Sequence, residues 1–304
     1  MMKTTAPEKI LFIINPISGG KKKEHLPELI KQYLDPKKFI PEIRFTERGG
    51  HATVLAREAL TNGYSFIVAA GGDGTINETA RELINTHAVL GIIPFGSGNG
   101  LARHMRIPLN TIKAIQLINQ MNVVSIDTGY INNHYFFCTA GVGFDAHIGH
   151  AFANAGTRGF KTYFKISVKE FFNYKPHRYR LTCNGEEREE NAFLITFANT
   201  SQYGNNALIA PLADVQDELL DVCILSKFPS VYALDLGRRL FSGTMNKSRY
   251  MRVVKTKEIT VVRDQAGPVH VDGEPIEMGE KLHVAVVPSS LKVLVGEHKT
   301  TVNS

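Results

Sequence analysis

Three glycines, a carboxylate and a hydroxyl stand together in Gly71-Gly72-Asp73-Gly74-Thr75, directly after an apolar run. Residues of these types at the start of a helix bind phosphate. Glycines let an anion approach the main chain, and unpaired N–H groups backed by the helix dipole favour negative charge. Asp73 beside such an anion is repulsive unless a cation lies between them or a proton is exchanged, so it points to Mg²⁺ or proton handling. An ordinary glycine-rich connection between a strand and a helix is the plainer alternative.

Two further stretches have the same character. Asn15-Pro16-Ile17-Ser18-Gly19-Gly20 offers backbone donors and the polar side chains of Asn15 and Ser18, and Lys21-Lys22-Lys23 behind it raises the local positive potential. Those lysines also fit the solvated start of a helix. Gly96-Ser97-Gly98-Asn99-Gly100 is the third stretch. Asp145, His147 and His150 lack the rigid i,i+4 His pair of a zinc site and read as surface residues. Cys138, Cys183 and Cys223 are widely spaced, without a metal-ligand pattern, and suit reduced structural thiols.

The elements that must position these groups are strands, turns and helices. Residues 10–14, 39–45, 64–69 and 88–93 read as strands, and residues 26–34, 51–60, 75–84 and 101–105 as helices. Such alternation to about residue 121 requires a mostly parallel sheet with right-handed crossovers. All three glycine stretches follow strands, so they gather at the carboxyl edge of the sheet, where open α/β sheets bind ligands. Residues 122–129 lead out as an extended segment. Beyond them strands recur at short spacing: a hairpin signal at 130–137, Asn184-Gly185 as a type I′ turn between 179–183 and 192–197, and further strands at 253–262 and 282–287. The expected fold is an α/β N-terminal domain with a mostly parallel sheet over residues 1–128, which 289–304 is a candidate to rejoin, plus a β-rich, sandwich-like C-terminal domain over 129–288.

Gly71-Gly72-Asp73-Gly74-Thr75 with Asn77-Glu78 resembles the nucleotide-binding signature of the diacylglycerol kinase catalytic-domain family, which includes bacterial lipid kinases, sphingosine kinases and ceramide kinases. NAD kinases and phosphofructokinases share only the Gly-Gly-Asp-Gly part. The resemblance runs from residue 10 to 287. It implies an NAD kinase/diacylglycerol kinase-like fold and an ATP- and Mg²⁺-dependent phosphoryl transfer to a hydroxyl of a diacylglycerol-like or sphingoid lipid. Nucleotide contacts are implied for Asn15, Pro16, Ile17, Ser18 and Gly19, for Thr46, for Gly72, Asp73, Gly74, Thr75, Ile76, Asn77 and Glu78, and for Gly96, Ser97, Gly98 and Asn99. Thr46 is equally a plain strand-end threonine. Gly100 stands where many bacterial members carry an aspartate of the metal network, a form closer to sphingosine and ceramide kinases.

By the same resemblance Asp127 matches an aspartate linked through water to Mg²⁺, with a strand-exit aspartate satisfying a turn as the alternative. Residues 211–222 resemble a segment in which one carboxylate and two main-chain carbonyls hold a structural Mg²⁺. Carried across, Asp217 gives the carboxylate, and Asp214 and Leu219 the carbonyls, while Glu218 replaces a glycine suited to positive φ. Gly141-Val142-Gly143-Phe144-Asp145-Ala146 resembles the stretch lining the acceptor-lipid side. Asp272-Gly273-Glu274 matches the family's Asp-Gly-Glu, which makes Glu274 the expected base for the attacking hydroxyl and Asp272 its partner. Sphingosine kinases give that task to the aspartate matching Asp73. Asp-Gly is also a common type I′ turn.

The 304 residues suffice for two ordinary domains, and the 43% hydrophobic and 21% charged contents are globular values. No apolar run approaches the roughly 18 residues of a membrane span. The net charge of +6 favours anionic partners. In residues 159–174, Phe160, Phe164, Val168 and Phe171 recur at helical spacing beside Arg158, Lys161, Lys165 and Lys169, which suits either an anionic membrane surface or core packing with solvated lysines. The partners expected are a lipid substrate and an anionic membrane surface rather than nucleic acid, with a homodimer left open. Residues 1–7 carry no apolar export signal, so the expected location is cytoplasmic, peripheral at the inner membrane face. An NAD kinase-like enzyme and a non-enzymatic nucleotide- or lipid-binding protein are the alternatives.

Overall fold

Apolar strands separated by amphipathic helices build the first half of the chain, and short-spaced strands the second. The computed structural model describes residues 6–20, 23–153, 170–171 and 174–296. It divides into two compact units, Met1–Ile126 with Ser290–Ser304, and Asp127–Ser289. Asp127 thus belongs to the second unit rather than to the first.

The first unit runs β1 (Glu8–Ile14), α1 (Leu26–Tyr33), β2 (Phe39–Phe45), α2 (His51–Thr61), β3 (Phe66–Gly71), α3 (Asp73–Leu83), β4 (Val89–Pro94), α4 (Gly100–His104) and α5 (Thr111–Ile118), before β5 (Val123–Ile131) leads out. The strands lie in the order β2-β1-β3-β4, all parallel, with Ile14 opposite both Phe45 and Ala70, and Ala70 opposite Ile93. Residues 292–293 add a parallel pairing on β4. β3 and β4 are buried along their whole length, as strands covered on both faces must be. The edge strand β2 is half exposed and carries Pro41, whose missing N–H an edge tolerates. Asn110 caps α5, its side chain accepting from the Lys113 N–H at 3.0 Å.

The second unit continues with β6 (His134–Phe136), β7 (Thr139–Gly143), α6 (Phe144–Ala153), β8 (His177–Cys183), β9 (Glu186–Ala198), β10 (Leu220–Ser226), α7 (Ala233–Ser242), β11 (Met251–Thr256), β12 (Glu258–Arg263), β13 (Gly267–Val271), β14 (Glu274–Met278) and β15 (Lys281–Leu294). β9 is its axis. Residues 186–192 pair with β8, and residues 192–198 run antiparallel to β10 on one side and to β7 on the other. From there the ladders extend through β13 to β14 and through β12 to β15. Alternation on β10 explains how both of its faces are buried. Val222 and Ile224 join Ile195, Phe197, Val261 and Val284 in one core, while Cys223 and Leu225 join Leu194, Ile209 and Leu236 of α7 in another.

Residues 253–262, expected as one strand, form two. β11 pairs with β10 and β12 with β8 and β15, and the Thr256 hydroxyl donates to the Glu258 carbonyl at 2.7 Å to close the bend between them. Asn184-Gly185 forms the two-residue turn its sequence predicts, with φ of 52° and 79°. The segment 159–174 lies outside the described residues except for Glu170, Phe171 and Tyr174. Phe171 packs against Phe144, Phe193 and Phe228, its ring centroid 5.6 Å from that of Phe193.

Asn199 ties this unit together at a fully buried point. Its Nδ2 donates to the carbonyls of Asp127 and Phe137, each at 2.9 Å. Asn199→Leu leaves both carbonyls unpaired, so it should cost about 1–3 kcal/mol and lower the thermal midpoint by several degrees in scanning calorimetry.

Candidate functional site

The turns after β1, β3 and β4 meet at the carboxyl edge of the parallel sheet. The Asn15 Nδ2 donates to the Thr75 Oγ1 at 3.0 Å, linking the first turn to the start of α3. The Asn15 Oδ1 accepts from the Ile17 N–H at 3.1 Å, and the Ser18 hydroxyl donates to the Asn15 carbonyl at 3.2 Å, so the turn is folded on its own polar groups. Gly19 has φ of +67° and a Cβ there would lie 1.9 Å from the Phe95 carbonyl oxygen, which only glycine avoids. Pro16 and Ile17 complete this turn, with Ile17 exposed. Lys21 and Lys22 lie outside the described residues. Lys23 is neither solvated nor aimed at a ligand: it is buried, donates to the Ser18 carbonyl and sits 4.8 Å from the Phe95 ring centroid, and burial pushes its ammonium down from the usual lysine range. Thr46 is buried at the end of β2, its N–H on the Ile14 carbonyl.

Asp73 opens α3 after Gly72, which provides no side-chain cap, so the first-turn amides around Gly74 and Thr75 remain the donor end of an eleven-residue helix. The carboxylate itself is turned toward the third loop. Its Oδ2 accepts from the Asn99 N–H and its Oδ1 from the Gly100 N–H, both at 2.9 Å. Asp73 therefore braces the Gly96-Ser97-Gly98-Asn99 turn and caps α4. Gly98 permits the approach, since a Cβ there would lie 2.9 Å from the Asp73 Oδ2. Asn99, at φ 49°, donates from Nδ2 to the Gly96 carbonyl and keeps a buried Oδ1 without a partner. Ile76 and Asn77 are buried on α3. Glu78 faces elsewhere: its two oxygens accept from the Gly50 and Ala52 N–H groups at 2.9 and 3.1 Å, capping α2.

In the second unit Asp127 is buried, and both of its oxygens are engaged, by the Ser289 N–H at 2.7 Å and the Glu218 N–H at 2.8 Å. Glu218 takes φ of 58°, so a glycine is not needed for this bend. Asp214 accepts from the Gln216 N–H and Asp217 from the Leu219 N–H, at 3.0 and 3.1 Å. The other Asp217 oxygen holds the Lys255 ammonium at 2.6 Å, and the same ammonium lies 3.6 Å from the buried Asp221. Burial, the largest influence on Asp221, pushes its carboxyl up from the usual range against the opposing pull of Lys255. A divalent ion on Asp217 would sit against a fixed positive charge. Lys255 thus sits on the Asp217 oxygen that the expected Mg²⁺ site would use, and each Asp127 oxygen already accepts one N–H. Among the described residues no group of three His, Cys, Asp or Glu side chains is arranged to hold a metal.

Asp272-Gly273 is the two-residue turn joining β13 to β14, with φ of 51° and 85°. The Asp272 carboxylate accepts three backbone N–H groups, from Phe137 at 2.9 Å, Cys138 at 2.7 Å and Thr139 at 3.1 Å. It anchors the turn and is not poised to share a proton with Glu274. Glu274 is exposed at the head of β14, without a side-chain hydrogen bond to another described residue. Asp145, expected at the surface, is buried at the start of α6. Its Oδ2 meets the Thr196 hydroxyl at 2.9 Å, the Tyr203 hydroxyl at 3.2 Å and the His270 Nε2 at 3.0 Å. Sequence spacing missed this cluster and Lys255, because partners 51 to 125 residues apart, or 38 in the case of Asp217 and Lys255, leave no local pattern.

Lys255→Met removes the ammonium that Asp217 and Asp221 share and should lower the thermal midpoint, while excess EDTA or Mg²⁺ leaves the midpoint of the unaltered protein unchanged in differential scanning fluorimetry. Glu78→Ala should cost about 1 kcal/mol through the lost cap of α2 without lowering ATP affinity, which calorimetric titration measures.

Comparison with known proteins places this geometry. Residues 9–131 match the family model described as the diacylglycerol kinase catalytic domain, and residues 138–295 match the YegS C-terminal NAD kinase beta sandwich-like domain. A Pseudomonas aeruginosa protein named probable lipid kinase YegS-like is 32% identical over 258 residues, 83% of each chain. A Chromohalobacter salexigens protein of the same name is 29% identical over 255 residues, 82% of each. A crystal structure titled as a diacylglycerol kinase from Bacillus anthracis str. Sterne superposes with a TM-score of 0.72 at 20% identity, covering 96% of this chain and 98% of the other, and so shares the fold. With both units matched in chain order and relatives aligned over most of their length, the chain belongs to the diacylglycerol kinase catalytic-domain family, with a YegS-type C-terminal β-sandwich.

Proposed function

We propose that the chain is an ATP-dependent lipid kinase that transfers the γ-phosphoryl group to a hydroxyl of a diacylglycerol-like or sphingoid lipid. The observation that carries this reading is the interlocking of three glycine turns at one sheet edge, through Asn15 with Thr75 and Asp73 with Asn99 and Gly100. Turns held in this way present backbone N–H groups and the donor end of α3 to the phosphates. The unpaired Oδ1 of Asn99 is suited to a donor such as a ribose hydroxyl or an adenine amino group.

In the reaction the lipid oxygen attacks the γ-phosphorus, the bond to the β,γ-bridging oxygen breaks, and ADP leaves with that electron pair. The hydroxyl proton passes to a carboxylate as the new bond forms. We assign that acceptor to Glu274, whose exposed carboxylate is uncommitted, and assign Asp272 to fixing the turn from which it projects. Hard cations keep phosphate and water oxygens as ligands, so Mg²⁺ enters this reading as part of the MgATP co-substrate. A water-insoluble acceptor puts the work at a membrane surface, which we take to be the cytoplasmic face of the inner membrane.

Incubation with radiolabelled ATP, a lipid extract and NAD in parallel tests the assignment. Label in an organic-phase phosphate ester is the expected result, and label only in NADP, or no product with ATP still bound, would overturn it. Glu274→Gln should lower kcat by about 10²- to 10⁴-fold with the thermal midpoint unchanged. Asp272→Asn should instead lower the thermal midpoint, because three N–H donors then face an amide.

A further inference from the structure

The exposed side of α7 joins a charged strip of Asp235, Arg238 and Arg239 to an apolar edge. On the inner side Leu236 and Leu240 pack with Phe228, Ile209 and Tyr250. On the outer side Val231, in the 3₁₀ turn before the helix, is 77% exposed, Leu234 is 88% exposed and Phe241 is 47% exposed. Spacings of three and seven residues put all three on one stripe, which also holds Arg238. Single exposed apolar residues are common, but three in a row at helical spacing form a patch.

The surroundings of the patch are positive. Residues 227–250 contain Lys227, Arg238, Arg239, Lys247 and Arg249, and Asp235 is their one carboxylate. Asp235 is neutralised from within by ion pairs to both Arg238 and Arg239. Arg249 lies 4.8 Å from the ring centroids of Tyr232 and Tyr250 and donates to both hydroxyls, at 2.8 and 2.7 Å. Tyrosines with a stacked arginine have the amphipathic character that favours the depth of lipid headgroups. A protein partner of ordinary surface would bring carboxylates and specific pockets. Apolar prongs on a short helix, in a stretch where five basic side chains stand against one carboxylate, match the chemistry of an anionic bilayer surface.

We propose that the outer face of α7, through Val231, Leu234 and Phe241 with Arg238 and Arg249, docks the chain on an anionic lipid bilayer. The apolar side chains enter the headgroup boundary and the guanidinium groups meet lipid phosphates. The inference deepens the lipid-kinase reading, resting on it for the reason a bilayer is approached at all, and it assigns the contact to described residues outside the segment 154–169.

Co-sedimentation of the full chain with extruded vesicles tests it, using phosphatidylcholine alone and phosphatidylcholine mixed with phosphatidylglycerol. The chain should pellet with the mixed vesicles and far less with the neutral ones. Val231→Glu combined with Leu234→Glu should reduce the partition coefficient roughly tenfold or more, and Arg249→Gln roughly fivefold. Turnover of a short-chain lipid dispersed below its critical micelle concentration should be unchanged in these variants. Equal vesicle binding by the double variant and the unaltered chain overturns the proposal and leaves the kinase reading standing. So does a dimer in analytical ultracentrifugation that the double variant splits while vesicle binding persists, since the face is then an interface between copies. Vesicle binding that is lost in the double variant, in a chain that phosphorylates no lipid, keeps the docking face and removes the kinase reading.

Discussion

The Asp73 carboxylate faces the N–H groups of Asn99 and Gly100, and much else in the first unit follows from that pairing. A glycine-rich turn has few side chains to hold its shape, and loose backbone loses its alignment toward an anion. Joining the start of α3 to the start of α4 through one charged side chain makes two turns into one object, because hydrogen bonds to an ionised acceptor are short and strong. Asn15 adds the first turn through Thr75, and the Gly19 backbone lies against Phe95. The resulting cluster of turns is held in one shape by its own hydrogen bonds.

Acidic side chains serve the same purpose elsewhere. Glu78 receives amides at the start of α2, Asp127 receives those of Glu218 and Ser289, and Asp272 receives three from residues 137–139. Each sits where a turn or helix start leaves N–H groups that the regular ladders do not use. A carboxylate near a phosphate site invites a chemical role. Here the hydrogen-bond partners separate the acids that shape the main chain from Glu274, whose exposed carboxylate holds no N–H group of a described residue.

The order β1-α1-β2-α2-β3-α3-β4 was legible because apolar runs, glycine turns and helical periodicity are local signals, and the parallel sheet with its converging turns follows from them. The two-residue hairpins were legible for the same reason. The strand break at Lys257 was not drawn, because the polar run Lys255-Thr256-Lys257-Glu258 does not by itself show that β11 and β12 have different neighbours. α6 escaped notice because Gly141-Val142-Gly143 and buried Asp145 disguise its start, and α7, although amphipathic, because it is a ten-residue helix within a run of strands. Among the candidate site residues the glycine turns could be found from type and spacing. What each carboxylate touches is set by partners far along the chain, as with Asp127 and Ser289, and no window of sequence contains both.

The ammonium of Lys255, lodged between Asp217 and Asp221, changes how the bend at residues 214–221 responds to its surroundings. A bend held by a diffusible ion is stabilised in proportion to the logarithm of that ion's free concentration, and loosens when the ion becomes scarce. A charge tethered to β11 is present at fixed stoichiometry and cannot be competed away by nucleotide phosphates. Depletion of a divalent cation therefore leaves this corner of the second unit in place.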